Sequence, residues 1–172
     1  MPTQASIAEA VNGVAAHFRA HPESGRSNDA PATATLQGGL RFQVTHPNGM
    51  TVATDMPAAF GGEATAPSPG WLMRAASAAC NASMIAIRAA QEGITLDELT
   101  VVVGSVSDDR GMVGVADDVP AGPLEASVHV RVRAAGADPE RLRDVVAWAR
   151  THSPVVDAVG RAVPTSFDVE IG

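Results

Sequence analysis

The stretch from Ser68 to Glu92 constrains the fold more than any other part of this 172-residue chain. Ser68-Pro69 supplies a side-chain N-cap and a Pro at the first helical position, and Gly93 follows as a stop, so a helix is predicted from Ser68 to about Glu92. Placed at 100° per residue, this helix is apolar on nearly every side, and such a helix belongs in an interior. Its one polar line consists of Arg74, Asn81 and Arg88. A single chain of this size has few other elements that could pack around such a helix on all sides. We therefore expect two copies to interlock around it.

The remaining pattern predicts an α+β fold with antiparallel strands. A helix over about residues 4–20 precedes three antiparallel strands between Ala32 and Thr54, with a hairpin turn at Asn48-Gly49. The later elements are a buried strand from Leu99 to Val106, a strand from Leu124 to Arg133, a helix starting at Asp138-Pro139, a short helix from Ser153-Pro154 to Gly160, and a final strand from Ser166 to Ile171. No repeat or linker divides the sequence, so one domain over residues 1–172 is expected.

Charge and composition argue against several classes of protein. The chain has 12 basic residues, all Arg, against 19 acidic ones, and its net charge is −7. With no basic stripe, no Tyr and few other aromatic residues, it offers little to a nucleic acid. The absence of a long apolar run or a signal-like start predicts a cytoplasmic protein rather than a membrane or secreted one. His17 and His21 stand at helical spacing but lack a third ligand, so neither a metal nor a cofactor is expected.

Cys80 is the only cysteine, which excludes an intramolecular disulfide and a thiolate zinc cluster within one chain. It lies on an apolar stripe of the predicted central helix, where a free cysteine is most often a buried and inert thiol. It also lies twelve residues past the N-cap, well beyond the reach of the helix dipole. A reactive Cys80 would therefore need a cation or a hydrogen-bond donor from elsewhere in the fold.

A pattern of short segments resembles the OsmC/Ohr family of hydroperoxide reductases over residues 32–172. These segments are Asp55-Met56-Pro57, Gly61-Gly62, Ala66-Pro67-Ser68-Pro69, Ala79-Cys80 and Ser153-Pro154-Val155. The resemblance implies an intertwined dimer with an OsmC-like α+β fold, in which antiparallel sheets wrap around the long central helices and the active sites lie at the dimer interface. Residues 1–31 form an additional helix and loop outside the family-like core.

The same resemblance implies a chemistry and shows where this chain departs from it. Family members reduce organic hydroperoxides with an attacking and a resolving cysteine; Cys80 matches the first, whereas Ser153 stands at the resolving position. The family's carboxylate after the Pro of the central helix is absent here, since Gly70 follows Pro69, and the preceding loop has no Arg. Glu63 and Arg41 are the candidate replacements for that activating pair.

Two residues near the end of the chain have both a functional and a structural interpretation. Ser153 is well explained as the N-cap of the helix that begins at Pro154. His152 is a candidate acid, base or hydrogen-bond donor for Cys80, but a His at a helix boundary is commonly a partly exposed polar residue.

Three functions follow from these features. The first is a homodimeric, single-cysteine organic hydroperoxide reductase that uses Cys80 and an external thiol in the oxidative stress response. The alternative is a non-catalytic dimer that binds a small hydrophobic ligand in the interface pocket. The third is a structural or stress-linked dimer without a small-molecule site. None of the three requires a cofactor, a metal, a nucleic acid or a membrane.

Overall fold

The structure is a computed structural model in which residues 3–172 are described. Its helices and strands are α1 (Gln4–Ala20), β1 (Thr33–Gly38), β2 (Arg41–Thr45), β3 (Thr51–Thr54), α2 (Pro69–Gln91), β4 (Glu98–Val106), α3 (Asp109–Met112), β5 (Glu125–Arg133), α4 (Pro139–His152) and α5 (Pro154–Gly160). Short 3₁₀ turns occupy Pro22–Gly25 and Ala58–Phe60. Mixed helices and antiparallel strands confirm the predicted α+β class. Among the described residues, none of the helices combines the length and the apolar character needed to span a bilayer.

The chain divides into two compact units, and several elements contribute to both. The first unit contains residues 3–8, 77–102 and 128–172, and the second contains residues 9–76 and 103–127. The first unit therefore holds most of α2 together with α4 and α5, whereas the second holds the three-stranded sheet and the loop that precedes α2.

The second unit is built around the predicted antiparallel sheet, which is confirmed with the order β1-β2-β3. At the predicted hairpin, Gly49 adopts a φ of 89°, and the amide of His46 donates to the carbonyl of Met50 at 2.9 Å. Glycine tolerates this left-handed conformation without strain, which explains the Asn-Gly sequence. Apolar side chains of this sheet remain accessible to solvent, and Leu36 and Val52, for example, are both about half exposed.

Helix α2 begins and ends where the sequence predicts. The Ser68 hydroxyl accepts a hydrogen bond from the Trp71 amide at 3.3 Å, which is the expected N-cap interaction. At the other end Gly93 has a φ of 69°, its amide donates to Ala90, and the Ile94 amide donates to the carbonyl of Ala89 at 2.8 Å. This pair of bonds is a Schellman motif.

The burial of α2 differs from the sequence expectation. Only Asn81, Ile85, Ala89 and Ala90 are buried along it, and Trp71 is 50% exposed. One chain thus covers one side of the helix, not all of it. Asn81, which belongs to the polar line of the helix with Arg74 and Arg88, is only 6% exposed, and its buried amide group donates to the carbonyl of Ser77 at 2.8 Å.

The core of the first unit forms between α2, the β4-β5 pair and α4. Ile85 and Ala89 from α2 contact Val145 and Ala149 from α4, and Ile94 completes the cluster from the loop after α2. The helix starting at Asp138-Pro139, with its apolar face toward this core, is therefore confirmed. The Asp138 carboxylate accepts from the Glu140 amide at 2.9 Å and caps the helix.

The β4-β5 pair confirms two predicted strands but corrects the burial of one. Backbone bonds from Asp97 to Arg133 at one end and from Leu124 to Val106 at the other, both 2.8 Å, show that the strands are antiparallel. The prediction of a buried strand from Leu99 to Val106 is wrong for the single chain, since β4 has no fully buried residue. The two-stranded sheet has only one core-facing side, so alternate residues of β4 remain accessible.

The final predicted strand, Ser166 to Ile171, is also wrong, because residues 161–172 adopt no regular structure. Alternation of apolar and polar residues indicates a strand only where a neighbouring strand can supply hydrogen bonds. Nothing within the described part of the chain pairs with this segment, and Phe167 is 91% exposed.

Candidate thiol site

The structure brings Cys80 and Ser153 together although they are 73 residues apart in sequence. Cys80 lies midway along α2, and Ser153 lies between α4 and α5. The Ser153 hydroxyl donates to the Cys80 sulfur with an Oγ to Sγ distance of 3.1 Å. Ser153 is only 1% exposed, while Cys80 remains partly accessible. The hydroxyl therefore has a fixed position on the inner side of the thiol.

This contact corrects the structural interpretation of Ser153. The side chain makes no capping bond to α5, so the prediction that Ser153 caps this helix is wrong. The helix has seven residues, and Pro154 at its first position has no amide hydrogen to satisfy. The Ser153 hydroxyl points to the Cys80 sulfur instead and gives this thiol a hydrogen-bond donor.

His152 lies next to Ser153 in sequence, but its ring turns back along α4. The ring stacks on Trp148 with centroids 4.0 Å apart and an interplanar angle of 10°. Its Nδ1 lies 2.8 Å from the Trp148 carbonyl oxygen. The Thr151 hydroxyl oxygen lies 3.0 Å from the same nitrogen. These contacts direct the His152 ring toward α4.

Trp148 also contacts Arg88, which extends this cluster from α4 to α2. The guanidinium carbon of Arg88 lies 5.2 Å from the centroid of the Trp148 ring, within the range of a cation-π interaction. Arg88 forms an ion pair with Glu92 at 2.5 Å, and Glu92 accepts from Arg141 at 3.2 Å. These contacts fasten the end of α4, and with it the backbone leading to Ser153, onto α2.

Arg41 and Glu63, the candidates for an activating pair, belong to the second unit. Arg41 donates to the Thr65 hydroxyl, and this hydroxyl donates to Asp55 at 2.8 Å. Glu63 is exposed and lines a depression of about 420 Å3 together with Arg41 and Asp55. The contacts that the structure gives Arg41 therefore fix the loop before α2.

Asp55 is the residue that organises this loop, and it is only 2% exposed. One carboxylate oxygen accepts from the Thr65 amide at 3.0 Å and the other from the Met56 amide at 2.8 Å. The Thr65 amide, followed by the other donors, lowers the pKa of Asp55 below its usual value, although burial opposes the shift. Asp55 also borders a second depression of about 330 Å3, whose walls include Trp71 and Arg74.

A sequence model of the OsmC family, described as OsmC-like protein, matches residues 61–168, which is more than half of the chain and includes both Cys80 and Ser153. The chain belongs to the OsmC-like family. Among curated proteins no match was found.

Solved structures of OsmC-like proteins share this fold. An OsmC-like protein from Mycoplasma pneumoniae has a TM-score of 0.66 and 15% identity, with coverage of 78% of this chain and 89% of that one. An organic hydroperoxide resistance protein from Elizabethkingia anophelis has a TM-score of 0.58 and 22% identity, with coverage of 78% and 90%. An organic hydroperoxide resistance protein OsmC from Legionella pneumophila has a TM-score of 0.56 and 22% identity, with coverage of 77% and 91%. At these identities the likeness establishes the fold.

For this OsmC-like chain, sequence reasoning missed residues that hold the end of α4 in the first unit and the loop before α2 in the second. Trp148 and His152 stand at i and i+4 of a predicted helix, and this spacing could have indicated the stack. The contact of Arg88 with Trp148 joins α2 to α4. These helices are distant in sequence, so no local sequence pattern indicates the contact. The same is true of Thr65, which links Arg41 to Asp55 through its hydroxyl.

Proposed function

We propose that this OsmC-like chain is a homodimeric, single-cysteine organic hydroperoxide reductase. The observation that carries the proposal is the hydrogen bond from the buried Ser153 hydroxyl to the partly accessible Cys80 sulfur. This bond gives Cys80 the hydrogen-bond donor that a reactive thiol in the middle of α2 would need from another element of the fold. The organic hydroperoxide resistance proteins among the solved structures support the substrate class and a role in oxidative stress.

The proposed cycle uses one sulfur and an external thiol. The Cys80 thiolate attacks the O–O bond of the hydroperoxide, the O–O bond breaks, and the alkoxide takes a proton and leaves as the alcohol. The sulfur is oxidised to a sulfenic acid. A first external thiol condenses with it to a mixed disulfide and releases water. A second external thiol attacks the external sulfur of that disulfide, which releases the Cys80 thiol and leaves the two external thiols joined as a disulfide.

Ser153 has two effects in this cycle. Its hydroxyl cannot form a disulfide, so the sulfenic acid persists until an external thiol arrives. As a donor it stabilises negative charge on the sulfur before the attack. His152 is proposed as a secondary contributor to the site.

A homodimer is part of this proposal, and the exposed apolar surface supports it. Large side chains remain accessible on the three-stranded sheet, on β4 and on α2, including Leu36, Val102 and Trp71. A second copy would cover such surface, because contiguous exposed apolar patches mark interaction sites.

The test compares wild type with Cys80→Ser and Ser153→Ala, all anaerobically reduced, in the presence of tert-butyl hydroperoxide and a monothiol. Wild type should consume peroxide and give a sulfenate adduct with dimedone at Cys80. Ser153→Ala should lower the oxidation rate roughly 10- to 100-fold, since a hydrogen bond to a charged group contributes about 1.5–3 kcal/mol. Equal background rates in wild type and Cys80→Ser would refute the proposal.

The alternative is a non-catalytic dimer that binds a small hydrophobic ligand, and one observation favours it. Arg41 is bonded to Thr65 and Arg88 to Glu92, so neither guanidinium is committed to the sulfur. Native mass spectrometry of the protein as purified, together with a peroxidase rate at background, would support this alternative if a retained apolar molecule were found.

A further inference from the structure

The depression beside Trp71, here called the Trp71 pocket, lies within the second unit. Its volume is about 330 Å3, and its lining includes Pro57, Ala64, Pro67, Trp71 and Arg74. These residues belong to the loop before α2 and to the first turns of that helix. Every lining residue lies in the second unit, whereas the Cys80 thiol belongs to the first. Small organic ligands occupy pockets of about 300–1,000 Å3, so a small molecule fits the size of this one.

The walls of the Trp71 pocket suit an apolar ligand body. Pro57 and Pro67 have no amide hydrogen, and Ala64 uses its amide to donate to the carbonyl of Met56 at 3.1 Å. The carbonyl of Pro67 accepts from the Asp55 amide at 3.3 Å. These wall groups leave little hydrogen-bonding capacity for a ligand, so a body without polar atoms fits them best.

Trp71 gives the pocket an aromatic surface. This residue lies in the first turn of α2 and remains 50% exposed. An indole ring offers a flat face, and aromatic rings pack on one another in offset-stacked or edge-to-face arrangements. The exposed ring therefore favours an aromatic ligand body over a flexible chain.

Arg74 supplies a cation without a charged partner. Its side chain is half-buried, and its Nη1 donates to the Ser105 hydroxyl, a neutral acceptor, at 3.2 Å. Arg88 on the same helix pairs with Glu92, whereas no carboxylate among the described residues forms an ion pair with Arg74. A guanidinium has five N–H donors in a planar fork that matches a carboxylate. Arg74 thus has donors and charge available for an anion.

The residue one turn before Arg74 leaves this cation open. Gly70 has no side chain, and a Cβ added there would lie 3.9 Å from Nη1 of Arg74, the one contact within 4 Å beyond the adjoining chain. A carboxylate on residue 70 would therefore reach Arg74 within the helix, as pairs four residues apart do. With glycine at this position, the space beside the guanidinium is open to a carboxylate from outside the chain.

Asp55 is the other charged residue of the lining, and it limits where an anion can bind. Its side chain is 2% exposed, and its carboxylate accepts from the Met56 amide and from the amide and hydroxyl of Thr65. It thus offers no accessible acceptor, but its charge opposes an anion placed beside it. A bound carboxylate therefore belongs at the Arg74 end of the pocket, with its apolar body against the proline and alanine walls.

We infer that the Trp71 pocket binds a small aromatic carboxylate, with the carboxylate group on Arg74 and the ring against Trp71. The charge of such a ligand complements the guanidinium, and its ring matches the apolar walls. This binding is separate from the proposed peroxidase, because the residues that carry it lie in one unit and the Cys80 thiol in the other.

Calorimetric titration of the full-length protein with 3-phenylpropionate tests the inference. The neutral analogue 3-phenylpropionamide should bind roughly tenfold more weakly, because it lacks the charge that pairs with Arg74. Arg74→Gln should weaken binding of the carboxylate by a similar factor and leave that of the amide unchanged. Trp71→Ala should weaken both ligands. Arg143→Gln removes an arginine of α4 that pairs with Glu140, and this matched control should bind like wild type.

Gly70→Glu tests the charge from the opposite direction. Its added carboxylate should pair with Arg74 and weaken binding of 3-phenylpropionate roughly tenfold or more. Gly70→Gln, of the same size but without the charge, is the matched control and should bind several times more tightly than Gly70→Glu. Circular dichroism establishes that both variants are folded. Equal weakening by the two variants would contradict the role of the Arg74 charge.

Cys80→Ser separates this inference from the proposed peroxidase. This variant should bind 3-phenylpropionate with wild-type affinity, whatever its rate with peroxide. Loss of binding in Cys80→Ser would assign the ligand to the thiol site and overturn the inference. Equal affinities of wild type for the acid and the amide, or no binding of the acid up to roughly 10 mM, would also overturn it and leave the peroxidase proposal standing.

Discussion

At the scale of single residues, the proposed chemistry of the thiol site depends on Ser153. Ser153 occupies the place where the family resemblance implies a second cysteine, and its oxygen lies 3.1 Å from the Cys80 sulfur. A sulfur atom at that place needs only a modest shift to reach a disulfide bond length of about 2.05 Å. This distance therefore predicts that a cysteine at position 153 would lie within reach of Cys80.

Replacing Ser153 by cysteine should restore the intramolecular disulfide. Ser153→Cys, treated with one equivalent of tert-butyl hydroperoxide, should lose both of its free thiols in a thiol titration, and mass spectrometry should show a link between positions 80 and 153. Its recycling should then favour a dithiol over a monothiol. Ser153→Ala is the matched control and should give the sulfenate adduct only.

Asp55 gives a second prediction at this scale, concerning the pH dependence of stability. Its pKa is lowered in the folded chain, chiefly by the Thr65 amide, so its stabilising effect is present above the unfolded pKa of about 3.9 and is lost as the pH falls through the folded value. Asp55→Asn should therefore destabilise the protein most near pH 7 and less near pH 3. Urea unfolding at both pH values measures this.

The exposed Asp118→Asn serves as the control for Asp55→Asn, since Asp118 lies in the loop before β5. An equal loss of stability for Asp55→Asn at pH 7 and pH 3 would contradict the ionic role of this carboxylate.

At the scale of elements, the helix boundaries follow from local chemistry that the sequence contains. Ser68 and Asp138 accept the expected amide hydrogen bonds, and Gly93 adopts the left-handed conformation that ends α2. These features depend on residues two to five positions apart, so the pattern alone predicts them. The hydrogen bond of Ser153 depends on Cys80, which lies 73 residues away in α2. Local sequence patterns do not indicate such a partner, and the predicted capping role of the Ser153 side chain is therefore wrong.

Two glycine substitutions should separate a cap from a helix interior. Gly93→Ala should lower the free energy of unfolding by about 1–2 kcal/mol, because a Cβ is disfavoured at a φ of 69° although no atom lies within 4 Å of it. Gly13→Ala, within α1 and also free of steric contact, should raise it by about 0.5–1 kcal/mol. Chemical unfolding of the two variants beside wild type measures both. Equal shifts would contradict the capping role of Gly93.

At the scale of the whole molecule, the sequence predicted the class of fold better than the burial of its elements. The apolar helix α2 and the alternating segment Ser166–Ile171 both indicate burial, yet one chain leaves much of each exposed. Periodicity shows that a face is apolar, but it does not show which chain covers that face. The family resemblance named both Cys80 and Ser153, which lie in contact, whereas no prediction from the sequence included the cluster around Trp148.

Thermal unfolding should depend on protein concentration if two copies form the folded unit. Association stabilises the native state by mass action, so the Tm of wild type should rise by several degrees between 1 and 100 µM. Differential scanning calorimetry across this range is the measurement. A Tm independent of concentration, together with a monomeric mass in sedimentation, would contradict the dimer.

The two small sheets have a consequence for how the protein is made. Within the described residues, the outer edges of β1, β3, β4 and β5 carry no further strand. Unpaired edges are templates for aggregation. A newly synthesised chain thus exposes four strand edges to other chains. The recovered soluble fraction should therefore fall as the expression level rises, because encounters between unpaired edges become more frequent.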